Sequence, residues 1–178
     1  MLQFEKRFSN KWMLAGSYSL SKNTELDFIT SWSVKGQDPN YQLNSTWDGK
    51  IVAYPFHNFK LYGTFVLPWG FMVSPKLIIT SGLRWTRYVI APVLGNPNIN
   101  IEKPGSNQEP PGINLDLRIE KDVTFGQGYR AGLYLDLYNA LNIGRAEEIE
   151  GRIDSPYFGK ATFFNAGRMF KLGVRIYF

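Results

Sequence analysis

Phe170-Lys171-Leu172-Gly173-Val174-Arg175-Ile176-Tyr177-Phe178 alternates without a break. Phe170, Leu172, Val174, Ile176 and Phe178 share one side of an extended chain, and Lys171, Gly173, Arg175 and Tyr177 share the other. Successive side chains of a strand point to opposite faces, so this is a strand with an apolar face and a polar face. The same pattern recurs upstream. Ile113, Leu115, Leu117 and Ile119 alternate with Asn114, Asp116, Arg118 and Glu120, and Leu133, Leu135 and Leu137 alternate with Tyr134, Asp136 and Tyr138. Weaker versions run from Trp12 to Leu20, Phe59 to Leu67 and Phe71 to Leu83. The pattern predicts strands over about 11–22, 56–67, 71–83, 113–124, 129–140 and 169–178, with a shorter one over 1–8. No stretch has a helical period, and no internal repeat is evident.

The connections alternate in length. Ser9-Asn10, Pro68-Trp69-Gly70 and Phe125-Gly126-Gln127-Gly128 read as tight turns. The segments 23–55, 84–112 and 141–168 are long and rich in Asn, Pro, Gly and charge, as in Gly95-Asn96-Pro97-Asn98. Loops this long count against a compact soluble domain. They suit an outer-membrane β-barrel, with short periplasmic turns and long extracellular loops. All three long connections are therefore expected at one end of the sheet and all three tight turns at the other. If the last of those turns centres on Gln127, Arg118 stands opposite Asp136.

Alternation alone does not say which face is inside. A soluble lipocalin-like carrier turns its apolar face inward, whereas a membrane barrel turns it to lipid and lines its lumen with polar groups. Aromatic positions favour the second arrangement. Trp12, Trp69, Phe71, Phe125, Tyr129 and Phe178 gather at the turn ends, and Phe56, Trp85, Tyr88 and Phe170 toward the loop ends, like two interfacial belts. The expected fold is all-β: an antiparallel transmembrane β-barrel segment of about seven strands spanning residues 1–178, with Asp116, Arg118, Glu120, Arg130 and Asp136 facing the lumen.

Composition agrees and narrows the chemistry. The chain has 178 residues, no cysteine, 16% aromatic residues and a formal net charge of +5. Disulfides and thiol-ligated metals are excluded. The cations are scattered, which gives no reason to expect a nucleic-acid partner. The start, Met1 to Arg7, lacks the apolar core of a signal peptide, so the front of the protein is expected to lie upstream. His57 is the one histidine, too little for a Ser-His-Asp set. No calcium loop or phosphate cradle is legible, and Glu147, Glu148 and Glu150 read as a solvated loop. The chain is expected to be neither an enzyme nor a cofactor protein. Arg145, Arg152, Lys160 and Arg168 could meet lipopolysaccharide phosphates or simply solvate a loop.

The last eight residues resemble the terminal signal by which the barrel-assembly machinery recognises outer-membrane proteins. The resemblance assigns that signal to Lys171, Gly173, Ile176 and Phe178. Over residues 11–178 the chain resembles TonB-dependent receptors of the Oar-like branch. The resemblance is carried by Gly36-Gln37-Asp38-Pro39-Asn40 with the run Pro55 to Gly70, by Thr80-Ser81-Gly82-Leu83-Arg84-Trp85-Thr86, and by Asn114 to Lys121 with Leu135 to Asn142. It implies a plug, a TonB-contacting segment and a barrel of roughly twenty-two strands. Only the barrel's terminal third is expected here, with the plug absent. The implied activity is energised substrate passage across the outer membrane. The implied partners are outer-membrane lipid, lipopolysaccharide and the assembly machinery, with the TonB complex reached only through the missing N-terminal part. A small standalone outer-membrane barrel of structural or adhesive role is the alternative.

Overall fold

The computed structural model describes residues 1–26, 51–90, 92, 98–103, 105–125 and 129–177. The fold is all-β. Seven strands form one antiparallel sheet: β1 (Leu2–Ser9), β2 (Trp12–Leu26), β3 (Ile51–Val66), β4 (Phe71–Thr80), β5 (Gly112–Phe125), β6 (Tyr129–Tyr138) and β7 (Met169–Tyr177). Each strand pairs with its neighbours along the chain, in the order β1 to β7. A meander of this kind places successive connections at alternate ends. The strand ends that lead into the three long connections therefore lie at one end of the sheet, and those that lead into the three short connections at the other, as the alternating lengths required; residues 27–50 and 126–128 themselves lie outside the described residues. Among the described residues no helix is long and apolar enough to cross a membrane.

The tight turns have clear local causes. Asn10 and Lys11 link β1 to β2 with φ of 53° and 70°. Positive φ at both central residues is what a type I′ hairpin requires. The Lys6 ammonium closes this end, donating to the carbonyls of Ser9 (3.0 Å) and Trp12 (3.1 Å). At Pro68–Gly70 a single 3-10 turn carries Trp69 at φ 62°, and the Leu67 amide donates to the Phe71 carbonyl at 2.7 Å. Pro75 lies within β4, a position proline normally avoids because it has no N–H for the ladder. The β3–β4 ladder lapses there between Tyr62–Lys76 and Phe65–Val73, and the Thr64 and Ser74 hydroxyls meet across the gap at 3.1 Å.

Several boundaries differ from the sequence reading. The β2–β3 hairpin runs on to Leu26 and Ile51. Its last rungs include Asn23, Thr24 and Glu25, where the backbone ladder continues although the apolar alternation has ended. β4 stops at Thr80 rather than 83, and β6 at Tyr138 rather than 140, because Asn139 turns the chain with φ 50°. The long connections also carry order of their own. Residues 84–85 pair with 107–108, 88–90 with 98–100, and 146–149 with 161–164.

The faces follow the pairing register. Leu135 lies across from Leu172 on one side and Ile119 on the other, Ile119 from Val73, Val73 from Phe65, and Phe65 from Trp12. One face is thus apolar across β2 to β7. The opposite face holds Ser74, Lys76, Asp116, Arg118, Glu120, Arg130, Asp136, Lys171 and Arg175. Burial is the reverse of a soluble domain's. Ala15 is the one buried hydrophobic residue among those described, while Glu120, Asp136, Asn139 and Ser155 are buried polar residues. Leu133, Leu172, Val174 and Ile176 are each more than half exposed.

Candidate functional site

The polar face is built as a set of rungs. Arg118 and Asp136 stand opposite each other, and the guanidinium grips the carboxylate side-on, Nε to Oδ1 at 2.6 Å and Nη2 to Oδ2 at 2.8 Å. Such forked pairs are the strongest of the common side-chain hydrogen bonds. One rung toward the loops, Asp116 receives the Asn114 side-chain amide and the Asn139 backbone amide, each at 3.1 Å, with the Lys76 ammonium at 3.6 Å. One rung toward the turns, Arg175 approaches Glu120 at 3.8 Å. It reaches across β6 at Gly132, where no side chain stands in the way. Arg130 and Asp122 lie 3.7 Å apart beyond that. All five residues read from the sequence as a charged face are on this one surface. Their partners Lys76 and Arg175 come from register that the long loops conceal, whereas Asp122 lies with Arg130 on the hairpin whose tight turn fixes the register.

Tyr134 organises the centre. Its ring lies under the Arg118 guanidinium, 4.8 Å from ring centre to Cζ, with Arg175 at 5.9 Å on the same ring. It also lies flat on Gly173, where a Cβ would come within 2.2 Å of the ring. A side chain at 173 would therefore displace the Tyr134 ring, so packing within the sheet favours glycine here, whatever else reads it. Lys171 stands opposite Asp136, and Ile176 is exposed on the apolar face. Phe178 lies outside the described residues.

Asn139 locks the start of the last long connection. Its side chain donates to the carbonyls of Ile143 and Ala166, both at 3.2 Å, and accepts from the Ile143 amide at 3.2 Å. Asn142, also at positive φ, accepts from the Arg168 amide at 3.1 Å. Asparagine tolerates the left-handed region better than most residues, which accounts for both positions. At the loop end lie two cavities, of about 450 Å³ and 400 Å³, that share Thr80, Arg145 and Glu147 as a wall. Arg145 crosses this wall from Thr80 Oγ1 at 3.3 Å to Glu147 Oε1 at 3.4 Å.

The other sequence candidates are accounted for by local contacts. His57 Nδ1 lies 2.7 Å from the Tyr18 hydroxyl. Arg152 pairs with Asp154 at 3.2 Å, so Arg145 and Arg152 both have carboxylates beside them. Glu150 is not the freely solvated loop residue that the sequence suggested. It accepts from the Arg152 amide at 2.9 Å and the Tyr88 hydroxyl at 3.1 Å. The Arg152 amide bond, then the Tyr88 bond, outweigh desolvation and hold its carboxyl below the usual glutamate range. Among the described residues no group of three or more His, Cys, Asp or Glu is placed to hold a metal.

The fold and the paired polar face define a class by architecture alone: a single-layer antiparallel meander with charge on one side and exposed hydrocarbon on the other. Compared with known proteins, the chain matches no family model, no curated sequence and no solved structure.

Proposed function

We propose that the sheet is part of the wall of an outer-membrane β-barrel. In this reading the chain is the C-terminal barrel segment of a TonB-dependent receptor, taking part in energised substrate passage. The observation that carries it is the inverted burial: one small apolar side chain is buried, while two carboxylates are. Fully burying a leucine or valine side chain is worth roughly 1.5–3 kcal/mol relative to exposing it to water, and this sheet leaves Leu133, Leu172, Val174 and Ile176 each more than half exposed. Lipid is the solvent that suits such a face, and a water-filled lumen suits the other. A soluble carrier would instead close its leucines into a core.

Two further features support a segment of a larger wall. Among the described residues, β1 pairs only with β2 and β7 only with β6, so both edges offer ladders to further strands. The stretches that carry the family resemblance, Asn114 to Lys121 and Leu135 to Asn142, also converge on the one polar network of Asp116, Arg118, Asp136 and Asn139. The partners in this reading are lipid, lipopolysaccharide and the assembly machinery, with energy from the TonB complex reaching the barrel through an upstream plug. No catalytic role is proposed.

Fractionation of the natural host tests this. The full-length protein is expected in the outer-membrane fraction after carbonate washing, released only by detergent. Recovery in the aqueous fraction without detergent would contradict it.

A further inference from the structure

We infer that the described parts of two long connections, residues 81–90, 98–103 and 105–111 of one and 139–168 of the other, are latched into a single lid, whose latch sets the width of the cavity that their roots line. They belong to different hairpins, yet they meet through backbone. The Tyr88 amide donates to the Gly151 carbonyl at 3.0 Å, and the Ile153 amide donates to the Tyr88 carbonyl at 3.1 Å, a parallel bridge between Tyr88 and Arg152. Parallel pairing needs no turn between the partners, so it can join segments that are distant along the chain.

Two side-chain contacts and one closely packed glycine reinforce the bridge. The Tyr88 hydroxyl donates to Glu150. Trp85 meets Phe158 edge to face, with centroids 6.0 Å apart and ring planes at 74°. Gly151 is buried beneath the Thr86 carbonyl, where a Cβ would come within 2.2 Å. A side chain at position 151 therefore cannot coexist with the bridge. Each connection is also held to itself. Arg84 donates to the Gly105 carbonyl at 3.0 Å and to Gln108 at 2.9 Å, and Glu150 exchanges backbone bonds with Lys160 and Gly159. Two internally stiff loops joined by a backbone bridge move as one body.

The cavity explains why this matters. The cavity of about 450 Å³ takes Ser81, Leu83 and Arg84 from one connection, and Arg145, Ala146 and Glu147 from the other. Its lining thus joins the roots of the two latched loops to Tyr54, Pro55 and Phe56 of β3. Parting the latch leaves the long Arg145–Thr80 bond to hold those roots, so the cavity opens more readily, while the seven-stranded sheet, which the latch does not touch, stays paired.

These 178 residues contain no cysteine, so a single thiol can be placed here once any cysteine elsewhere in the full-length protein has been replaced by serine. In the full-length protein in detergent micelles, Ser81→Cys supplies a thiol in the cavity wall. Its maleimide labelling is expected to rise severalfold when Gly151→Val is added. Hydrogen exchange at the amides of Tyr88 and Ile153 should accelerate together, while the amides of β5 and β6 keep their protection. Tyr88→Phe, which removes only the hydroxyl, should move both readouts the same way by a smaller factor. If Gly151→Val prevents folding, Trp85→Ala in the same cysteine background serves instead, with the same expectation. Faster exchange confined to 139–168, with the Tyr88 amide and Ser81→Cys labelling unchanged, would overturn the single lid. So would equal labelling in every latch variant.

Discussion

Replacing Arg118 with leucine is expected to destabilise the folded sheet by about 3 kcal/mol. The Asp136 side chain is 6% exposed and holds both of its oxygens against the guanidinium. Removing the cation leaves a buried carboxylate with its main partner gone. The figure is at the low end for a buried pair, because the Arg118 side chain is itself 38% exposed and partly screened. Arg118→Lys should recover only part of the loss, since lysine keeps the charge but lacks the fork and the planar stack on Tyr134. Adding Asp136→Leu to Arg118→Leu should recover more than half of it, because removing both members leaves nothing unpaired. Urea midpoints of the full-length protein folded into lipid vesicles measure all five proteins: the unaltered one, Arg118→Leu, Arg118→Lys, Asp136→Leu and the double variant. Additive losses in the double variant would mean that the two residues do not act as a pair.

The second large effect concerns the terminal strand, where two residues of the same octet should fail for different reasons. Phe178→Ser is expected to lower the folded protein in the outer membrane severalfold and to raise its degradation in the periplasm. Strand propensity spans only about 1 kcal/mol over all residues, too little to explain such a loss through stability. Val174→Ala removes apolar contact from the same face, leaves the terminus intact and should keep near-normal levels. Gly173→Val should also lose folded protein, but through the clash with Tyr134. Tyr134→Ala should therefore rescue Gly173→Val and leave Phe178→Ser unrescued. Heat-modifiable gel mobility with surface labelling distinguishes these outcomes. Equal levels for Phe178→Ser and the unaltered protein would reduce the C-terminus to an ordinary strand end.

How much was legible in the sequence depended on what sets each register. Alternation located all seven strands, because a half-buried strand writes its period of two into composition. The Arg118–Asp136 pair could be found by arithmetic, because a tight turn fixes the pairing on both sides of it. Pairing in β5–β6 does run symmetrically about Gln127, from Phe125–Tyr129 to Leu117–Leu137. Long connections carry no such centre, so the register of β4 on β5 and of β7 on β6 was hidden. With it went Lys76 beside Asp116, Arg175 beside Glu120 and Tyr134 over Gly173. The ribbons inside the long connections were also unreadable. Two to four residues without strong alternation are too few for a periodic signal, and what holds them is contact between loops. The extension of β2 and β3 was missed for a related reason: backbone ladders do not stop where apolar alternation does.

The account's central claim is that the apolar face meets lipid and the polar face meets water. Single spin labels placed in turn at residues 170, 171, 172, 174, 175 and 176, in the full-length protein in lipid vesicles, test it most directly. Labels at 170, 172, 174 and 176 should be reached by oxygen dissolved in the bilayer and shielded from a water-soluble nickel chelate. Labels at 171 and 175 should show the opposite preference, giving a period of two along the strand. Even-numbered positions shielded from both reagents would mean that the apolar face packs into a protein core, and would contradict the account.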